Sequence, residues 1–497
     1  METKQLIAAA YLVIAAMGGI TVTCLSKRAR DGFFFLLVTM AALTERWDVN
    51  FVSREWYRGT TMGFEFSLVD VIALSLLVSA ILVPRAGEKR FYWPPALGWM
   101  LLFFFFAVLC VAVATPKLFG YFALVKMLRG LIVFLAVALY VRGERELRIF
   151  LWALGAIVCF EALQAIEQRY RYGIHRVFGD LNAPNSLSMY MCTTAPLFVA
   201  AFNSRLPRSL KVMSAATIAL AGVAVLLTIS RTGIVTIGLI MLGTVALTMD
   251  LKFTGRKVLI ATACCLAVAG ALAKSWESLT SRFKEATLEE EYENKRSQGR
   301  GYYIRLAAAM ADEQWLGVGP NNWSFWVSNK YGPRMGFKFA PYPSEHKEPR
   351  FEVSADANVD DPQAAPAHSL LALTAGEMGL GGLVLMLLLW MRWGLMGLSF
   401  LLPRNPDPMR TIGIGIFFGL VGNFLQGLTE WVWHQTAIFF TFNILLGVLS
   451  SLYYLKRKAR REARRAQQLE DEWEDEAEPG QECVQEEEAQ YARTASA

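Results

Sequence analysis

The sequence predicts an all-α polytopic membrane protein, and three observations support that. Of its 497 residues, 54% are hydrophobic and only 19% are charged, a balance that excludes an ordinary soluble domain. The apolar residues fall in runs close to the roughly 20 residues a helix needs to cross a bilayer. Cations collect in every second connection between those runs.

Taken in order, the runs lie near 5–25, 31–46, 66–83, 96–114, 120–141, 148–167, 186–202, 209–228, 232–249, 257–273, 369–391, 411–427 and 433–454. The second is short, so 12 or 13 transmembrane helices are expected. About ten of them occupy residues 1–273. A large loop spans 274–368, three helices fill 369–455, and a tail covers 456–497. The first run keeps no good small-residue cleavage site before "SKRAR" and is read as retained. Pro184 disfavours a helical Ala183, so the chain is expected to turn there before the seventh run.

The lysines and arginines set the orientation. Lys27, Arg28 and Arg30; Arg85, Lys89 and Arg90; Arg142, Arg145 and Arg148; Arg205, Arg208 and Lys211; Lys252, Arg256 and Lys257; and Arg392, Arg404 and Arg410 fall on one side. The run "KRKARREARR" from Lys456 joins them. By the positive-inside rule that side is cytoplasmic, which leaves the large loop extracytoplasmic. The tail turns from basic to acidic. It is expected to rest its basic half on anionic head groups and then to fray into disorder. Because the charges are segregated, the net +6 gives no reason to expect a nucleic-acid partner. None of the seven cysteines lies in the large loop, which excludes a disulfide framework there. Adjacent Cys264 and Cys265 read as small apolar helix residues rather than a metal site.

Polar chemistry gathers on the loop side. "QRYRYGIHRVFGDLNAPNSLSMY" carries four aromatics, His175 and Asn185 ahead of a span. Arg231, in "LTISRTGIV", stands at a very short hairpin between two apolar runs. A charge at that depth is expensive unless it is paired or faces water, and an arginine suits bidentate phosphate binding. Snorkelling to head groups is the alternative. Lys126 and Arg129, at i and i+3 in the fifth run, share a helix face and need anions, either a bound phosphate or acidic side chains.

Residues 274–367 are too long a connection to be idle. Tyr303 to Ala311 is helix-like, and "LGVGPNNW" ends that helix. Arg300 and Arg305, five apart, do not share a face cleanly. Trp315, Trp323, Phe325, Trp326 and Tyr331 are candidates either for stacking on sugar rings or for packing. His346 lies among charges and reads as solvated. His368 stands where the loop meets the eleventh run, in "PAHSLLALTAGEMGLGG". On physics alone it is a helix-capping residue or a catalyst. Glu377 follows nine residues later, among Gly376, Gly379, Gly381 and Gly382, which are suited to close helix packing.

This constellation resembles the O-antigen ligase and Wzy-type polymerase superfamily of bacterial envelope proteins, over roughly residues 120 to 450. The family pattern is His, then Asn, Ser or Gln, nine arbitrary residues, Gly, two more, then Gly, Thr or Tyr. It is met by His368, Ser369, Gly379 and Gly382. "NAPNSLS", "SRTG" and an arginine upstream of "QWLGVGPNNW" also match. The family usually has a proline where Gln314 stands and often a tryptophan where Ile304 stands, so the loop arginine is Arg300 first and Arg305 second.

The resemblance implies a fold similar to GT-C-type membrane glycosyltransferases, in the cytoplasmic (inner) membrane. It implies an undecaprenyl-diphosphate-linked glycan as donor, and a glycan, lipid or protein hydroxyl as acceptor. His368 would be the catalytic base. Arg231 and Arg300 or Arg305 would hold the diphosphate, with Lys126 and Arg129 adding positive field, and Glu377 and Asn185 would support the acceptor or the site. Attack would be direct and inverting. The first outer loop lacks the D-x-D motif of metal-dependent relatives, so neither metal nor cofactor is expected.

Four alternatives stay open on sequence: a repeat-unit polymerase, a protein O-oligosaccharyltransferase, a solute transporter and a scaffold. The chain shows no obvious inverted repeat of the kind many transporters carry.

Overall fold

The computed structural model describes residues 3–46, 48–54, 56–84, 91–249, 300–337, 339, 363–402 and 406–494, with scattered positions between 255 and 281. Most of the expected span at 257–273, Cys264, Cys265, residues 282–299, and residues 340–362 with His346 lie outside them.

The helices fall where the apolar runs predict them. They are α1 (Thr3–Leu25), α2 (Lys27–Met40), α3 (Leu68–Leu82), α4 (Leu97–Val113), α5 (Lys117–Tyr140), α6 (Glu144–Tyr170), α7 (Pro184–Phe202), α8 (Arg208–Thr228) and α9 (Arg231–Thr248). After the large loop's own helix α10 (Arg300–Glu313) come α11 (Leu370–Leu398), α12 (Pro408–Gly427) and α13 (Thr436–Thr494). Among the described residues, α1, α5, α6, α8, α9, α11, α12 and α13 supply eight stretches long and apolar enough to cross a membrane. The expected spans at 31–46, 66–83, 96–114 and 186–202 are helices too, but shorter or more polar.

Local chemistry explains the helix starts. Ser26 caps α2 by accepting from the Ala29 N–H. Ser67 and Asp70 form a capping box on α3. Pro184 opens α7 behind an extended Ala183 (φ −147°, ψ 145°), as the sequence implies. Asp407 caps α12, with Pro408 in its first turn.

The first compact unit ends at Ser451. Within it α7 is buried along nearly its whole length and packs against α8, α9 and α12. Glycines on α12 permit this. A Cβ on Gly415 would come 2.7 Å from the Leu197 Cα, and one on Gly419 would strike the Thr193 carbonyl. Three or four residues apart, these glycines bring backbone close to backbone, as in small-residue membrane interfaces. The second unit, from Leu452, is the continuation of α13 as a helix to Thr494. The segment is dense in strong helix formers, and Lys458 faces Glu462 one turn on.

Two ends of the helix bundle differ in chemistry. At one end Asp31 is bonded by Tyr140 and Arg145, and Arg410 donates to the Leu401 carbonyl at 3.0 Å. These cations are those of the basic connections. The opposite end carries a layer that the pattern of apolar runs does not show. β1 (Val49–Phe51) and β2 (Phe64–Phe66) form an antiparallel hairpin, Val49 opposite Phe66 and Phe51 opposite Phe64. Its loop lays Tyr57 flat on Phe119, 3.8 Å between centroids. Asn321 fastens this hairpin to the large loop and to α5. Its Oδ1 accepts from the Thr60 N–H at 2.6 Å, and its Nδ2 donates to the Thr61 and Phe119 carbonyls at 2.9 and 3.0 Å. Asn321 sits at φ 62°, a left-handed conformation that asparagine tolerates better than most residues.

The glycine-rich stretch does more than pack helices. α11 is broken at Gly379, whose φ of 66° and ψ of −175° are non-helical. Thr374 and Met386 are twelve positions apart, about 18 Å along a straight helix. Yet the Thr374 Oγ1 lies 3.2 Å from the Met386 Sδ, so the bend is sharp. The expected span at 369–391 is therefore two pieces. Residues 370–378 pack with α10 in the loop layer, where Tyr302, Leu306 and Met310 meet Ala372, Leu373 and Ala375. The membrane-length piece follows Gly379. The break leaves carbonyls without in-helix donors. The Val318 and Gly319 N–H groups supply donors instead, to Gly376 O at 3.0 Å and Glu377 O at 2.8 Å.

Candidate active site

His368 lies just before the N-cap of α11, where Ser369 accepts from the Ala372 N–H at 3.3 Å. The cap fixes the backbone, and the imidazole is left half-exposed, with 43% of the side chain accessible. Its Nδ1 is 2.8 Å from the Glu430 Oε2. Glu430, in the connection between α12 and α13, is largely buried (13% accessible). Its other oxygen accepts from the Asn185 Nδ2 at 2.6 Å. Asn185 Oδ1 in turn accepts from Arg176 at 3.5 Å. A chain His368–Glu430–Asn185–Arg176 thus crosses α11, the α12–α13 connection and the start of α7.

A carboxylate on Nδ1 has a definite consequence. The Nδ1–H donates to Glu430, which places the ring's lone pair on Nε2. The same carboxylate stabilises an imidazolium once Nε2 takes a proton. Tyr303 limits the ring from another side, with centroids 5.9 Å apart.

The other sequence candidates fall into two groups. Arg231 is the first residue of α9 and belongs to the His368 end. The next residue, Thr232, receives a hydrogen bond at 3.4 Å from Thr429, the neighbour of Glu430. Arg300 opens α10, three residues before Tyr303 and so on the same helix face. Arg305, two residues beyond Tyr303, is exposed to solvent. Of the two loop arginines, Arg300 is the one aligned with the residue that meets His368.

Lys126, Arg129 and Glu377 form a different cluster. Arg129, 3% exposed, makes a two-pronged pair with Asp70, Nε to Oδ1 and Nη2 to Oδ2, both 2.8 Å. Asp48 and Glu65 stand 3.9 Å away. Its charge faces acids of the chain, the second of the two anion sources that the sequence left open. Lys126 donates to the Thr60 carbonyl at 3.1 Å and lines a cavity away from His368. Glu377 accepts from the Trp323 N–H at 3.2 Å. It supports the docked 315–323 loop rather than touching His368.

The acidic group around Arg129 titrates unusually. Burial pushes Asp48 up to about 7, against the pull of Arg129. Burial also raises Glu65, but Lys126, Thr61 and Arg129 outweigh it, and its net shift is downward. The aromatic candidates divide as well. Trp323 and Tyr331 are core residues, each 1% exposed. Trp315 is 76% exposed and open to a ligand.

Residues 216–387 match the protein family described as O-antigen ligase. The chain carries a domain of the O-antigen ligase family. The matched region runs from α8 to the membrane-length piece of α11, and contains Arg231, Arg300, Arg305, His368 and Glu377. Asn185 and Glu430 lie outside it and come to the ligase domain's histidine only through the fold. The family, the helices and the membrane-length spans together make this a multi-pass membrane protein of the ligase and polymerase type, acting on glycans. No curated protein matches the chain.

Glu430, Arg176 and Tyr303 were missed from sequence. Glu430 left one trace. It is the lone ionisable residue of "LTEWVW", in a connection that carries no cation.

Proposed function

We propose that the protein is an O-antigen ligase-like glycosyltransferase of the cytoplasmic membrane. It moves a glycan from an undecaprenyl-diphosphate carrier to an acceptor hydroxyl on the outer face. The observation that carries this reading is the His368–Glu430–Asn185 chain at the end of the helix bundle opposite the basic connections. The family match supports the ligase and polymerase class.

In this reading the acceptor oxygen attacks the anomeric carbon while His368 Nε2 takes its proton. The bond from carbon to phosphate oxygen breaks, and its electrons leave with the diphosphate. Arg231 and Arg300 stabilise that departing charge. Glu430 holds the imidazole in one orientation and offsets its positive charge until the proton passes to water. Attack from the face opposite the leaving group inverts the anomeric centre. A diphosphate leaves readily, so positioning and charge stabilisation provide most of the acceleration.

The test is transfer by the purified chain in liposomes, with a synthetic undecaprenyl-diphosphate glycan and candidate acceptors. Expected is an inverted product joined to a lipid A–core sugar hydroxyl. Elongated lipid-linked repeats would assign the polymerase reaction instead, and a Ser- or Thr-linked product the protein acceptor. Solute flux without any transfer would overturn the enzyme reading.

A further inference from the structure

A cavity lies among α4, α5, α11 and α13, roofed by the hairpin loop and the docked large-loop segment. Its roof end holds Lys126, Glu377, His434, Thr60 and Asn321; its deeper walls include Phe103, Phe104, Leu131, Leu389, Phe439 and Phe442. From Ala123 to Leu131 of α5 it extends eight residues, about 12 Å along the helix. It is separate from the His368 chain and borders it through the Trp431–His434 turn, which follows Glu430 directly.

Two features point to an occupant. Trp393 and Trp433 both line the cavity and are at least nine-tenths buried. The indole N–H of each finds no partner among the described residues, although buried donors are nearly always satisfied. Lys126 and Trp433 supply donors at the roof end, and Trp393 supplies one lower down, where it packs against Phe442 at 5.2 Å between centroids. Water alone would satisfy the donors but not an apolar wall of this depth.

We propose that this cavity binds a lipid through a single hydrocarbon chain, with acceptor oxygens, phosphate or acyl carbonyl, at its polar end. The chain lies against Phe103, Phe104, Leu131 and Phe439, and the oxygens meet Lys126 and the Trp433 indole. This site is distinct from the one proposed for the donor diphosphate at Arg231 and Arg300, and it stands whether or not transfer is found.

Photocrosslinking of the full chain in nanodiscs tests the proposal. One arm uses a polyprenyl phosphate with a diazirine in its chain; the other uses phosphatidylglycerol with a diazirine in one acyl chain. Labelled residues are mapped by mass spectrometry. α4 supplies an internal control, because Leu102, Phe105 and Leu109 face outward and are exposed, whereas Phe103 and Phe104 line the cavity. Label on Phe103, Phe104, Leu131 or Phe439 supports the site, and the arm that delivers it identifies the source. Label confined to Leu102, Phe105 and Leu109 in both arms overturns it. Ala123→Trp should lower cavity label about tenfold by filling the space, while outward label stays constant. If that variant does not fold, Leu389→Trp serves in its place. Undiminished cavity label in a folded variant overturns the assignment.

Discussion

His368 and Glu430 are 62 positions apart in the chain, and they meet at 2.8 Å through Nδ1 and Oε2. The base role of His368 depends on that contact, because it leaves Nε2 as the basic nitrogen and sets a carboxylate beside the ring. His368→Ala should therefore abolish transfer while leaving membrane insertion and the melting temperature unchanged. Glu430→Gln keeps a hydrogen-bond acceptor but removes the charge. It should lower kcat by about 10- to 100-fold with little effect on KM, the range seen when a partner that orients a functional group is lost. Glu430→Asp should recover part of that loss. Equal falls in activity and melting temperature for Glu430→Gln would reduce its role to structure.

The two loop arginines separate by placement. Arg300 shares a face of α10 with Tyr303, whose ring neighbours His368; Arg305 is exposed. Arg300→Ala should lower kcat/KM at least about 100-fold, the loss expected for a charged donor aimed at a developing oxyanion. Arg305→Ala should stay within about twofold of the parent, as surface substitutions do. Measuring both with one donor and acceptor pair decides the matter. A reversal of the order would move the diphosphate to the other side of α10.

Much of this architecture was legible because membrane spans announce themselves by length and polarity, and Pro184 behind Ala183 marks the start of one. Arg231 and His368 were visible for a related reason, as polar groups at the edges of apolar runs. The hairpin at 49–66 was not, because two strands of three residues leave no periodicity to detect. Neither was Glu430, since a lone acid in a short connection has no pattern, and its partner comes from another helix. The fate of Arg129 also required the fold. Its i, i+3 relation to Lys126 showed a shared face, but only packing reveals that Asp70 occupies it.

Gly379 gives the His368–Gly379–Gly382 spacing a physical meaning. Its φ and ψ lie in a region essentially restricted to glycine, and a Cβ there would run into the Trp315 carbonyl. Gly379→Ala should straighten α11 or eject the 315–323 loop, costing about 2 kcal/mol or more. The readouts are a lowered melting temperature and faster proteolysis within the large loop. Gly394→Ala on the same helix, where a Cβ meets nothing within 4 Å, should leave both unchanged. Similar behaviour of the two variants would mean that the break does not hold the loop in place.

Asp48 gives stability a pH dependence of unusual sign. Burial raises its pKa from 3.8 to about 7, so the folded chain holds a proton that the unfolded chain releases near pH 4. The contribution is fully present below that value and is lost as pH rises to about 7. Each tenfold difference in acidity between the folded and unfolded chain is worth about 1.4 kcal/mol, before solvent screening reduces it. Glu65, shifted downward, acts in the opposite sense, losing its contribution only as pH falls below the ordinary glutamate range. Between pH 5 and 7.5 Asp48 is therefore the one of the two that titrates. The detergent-solubilised chain should melt at a falling temperature across that window. Asp48→Asn should flatten the slope and melt higher than the parent at pH 7.5, since a neutral amide carries no desolvation cost for charge beside Glu65 and Asp70. An Asp48→Asn variant whose melting temperature follows pH with the parent's slope would show that Arg129 holds Asp48 ionised and that the pairing, not burial, governs this corner of the fold.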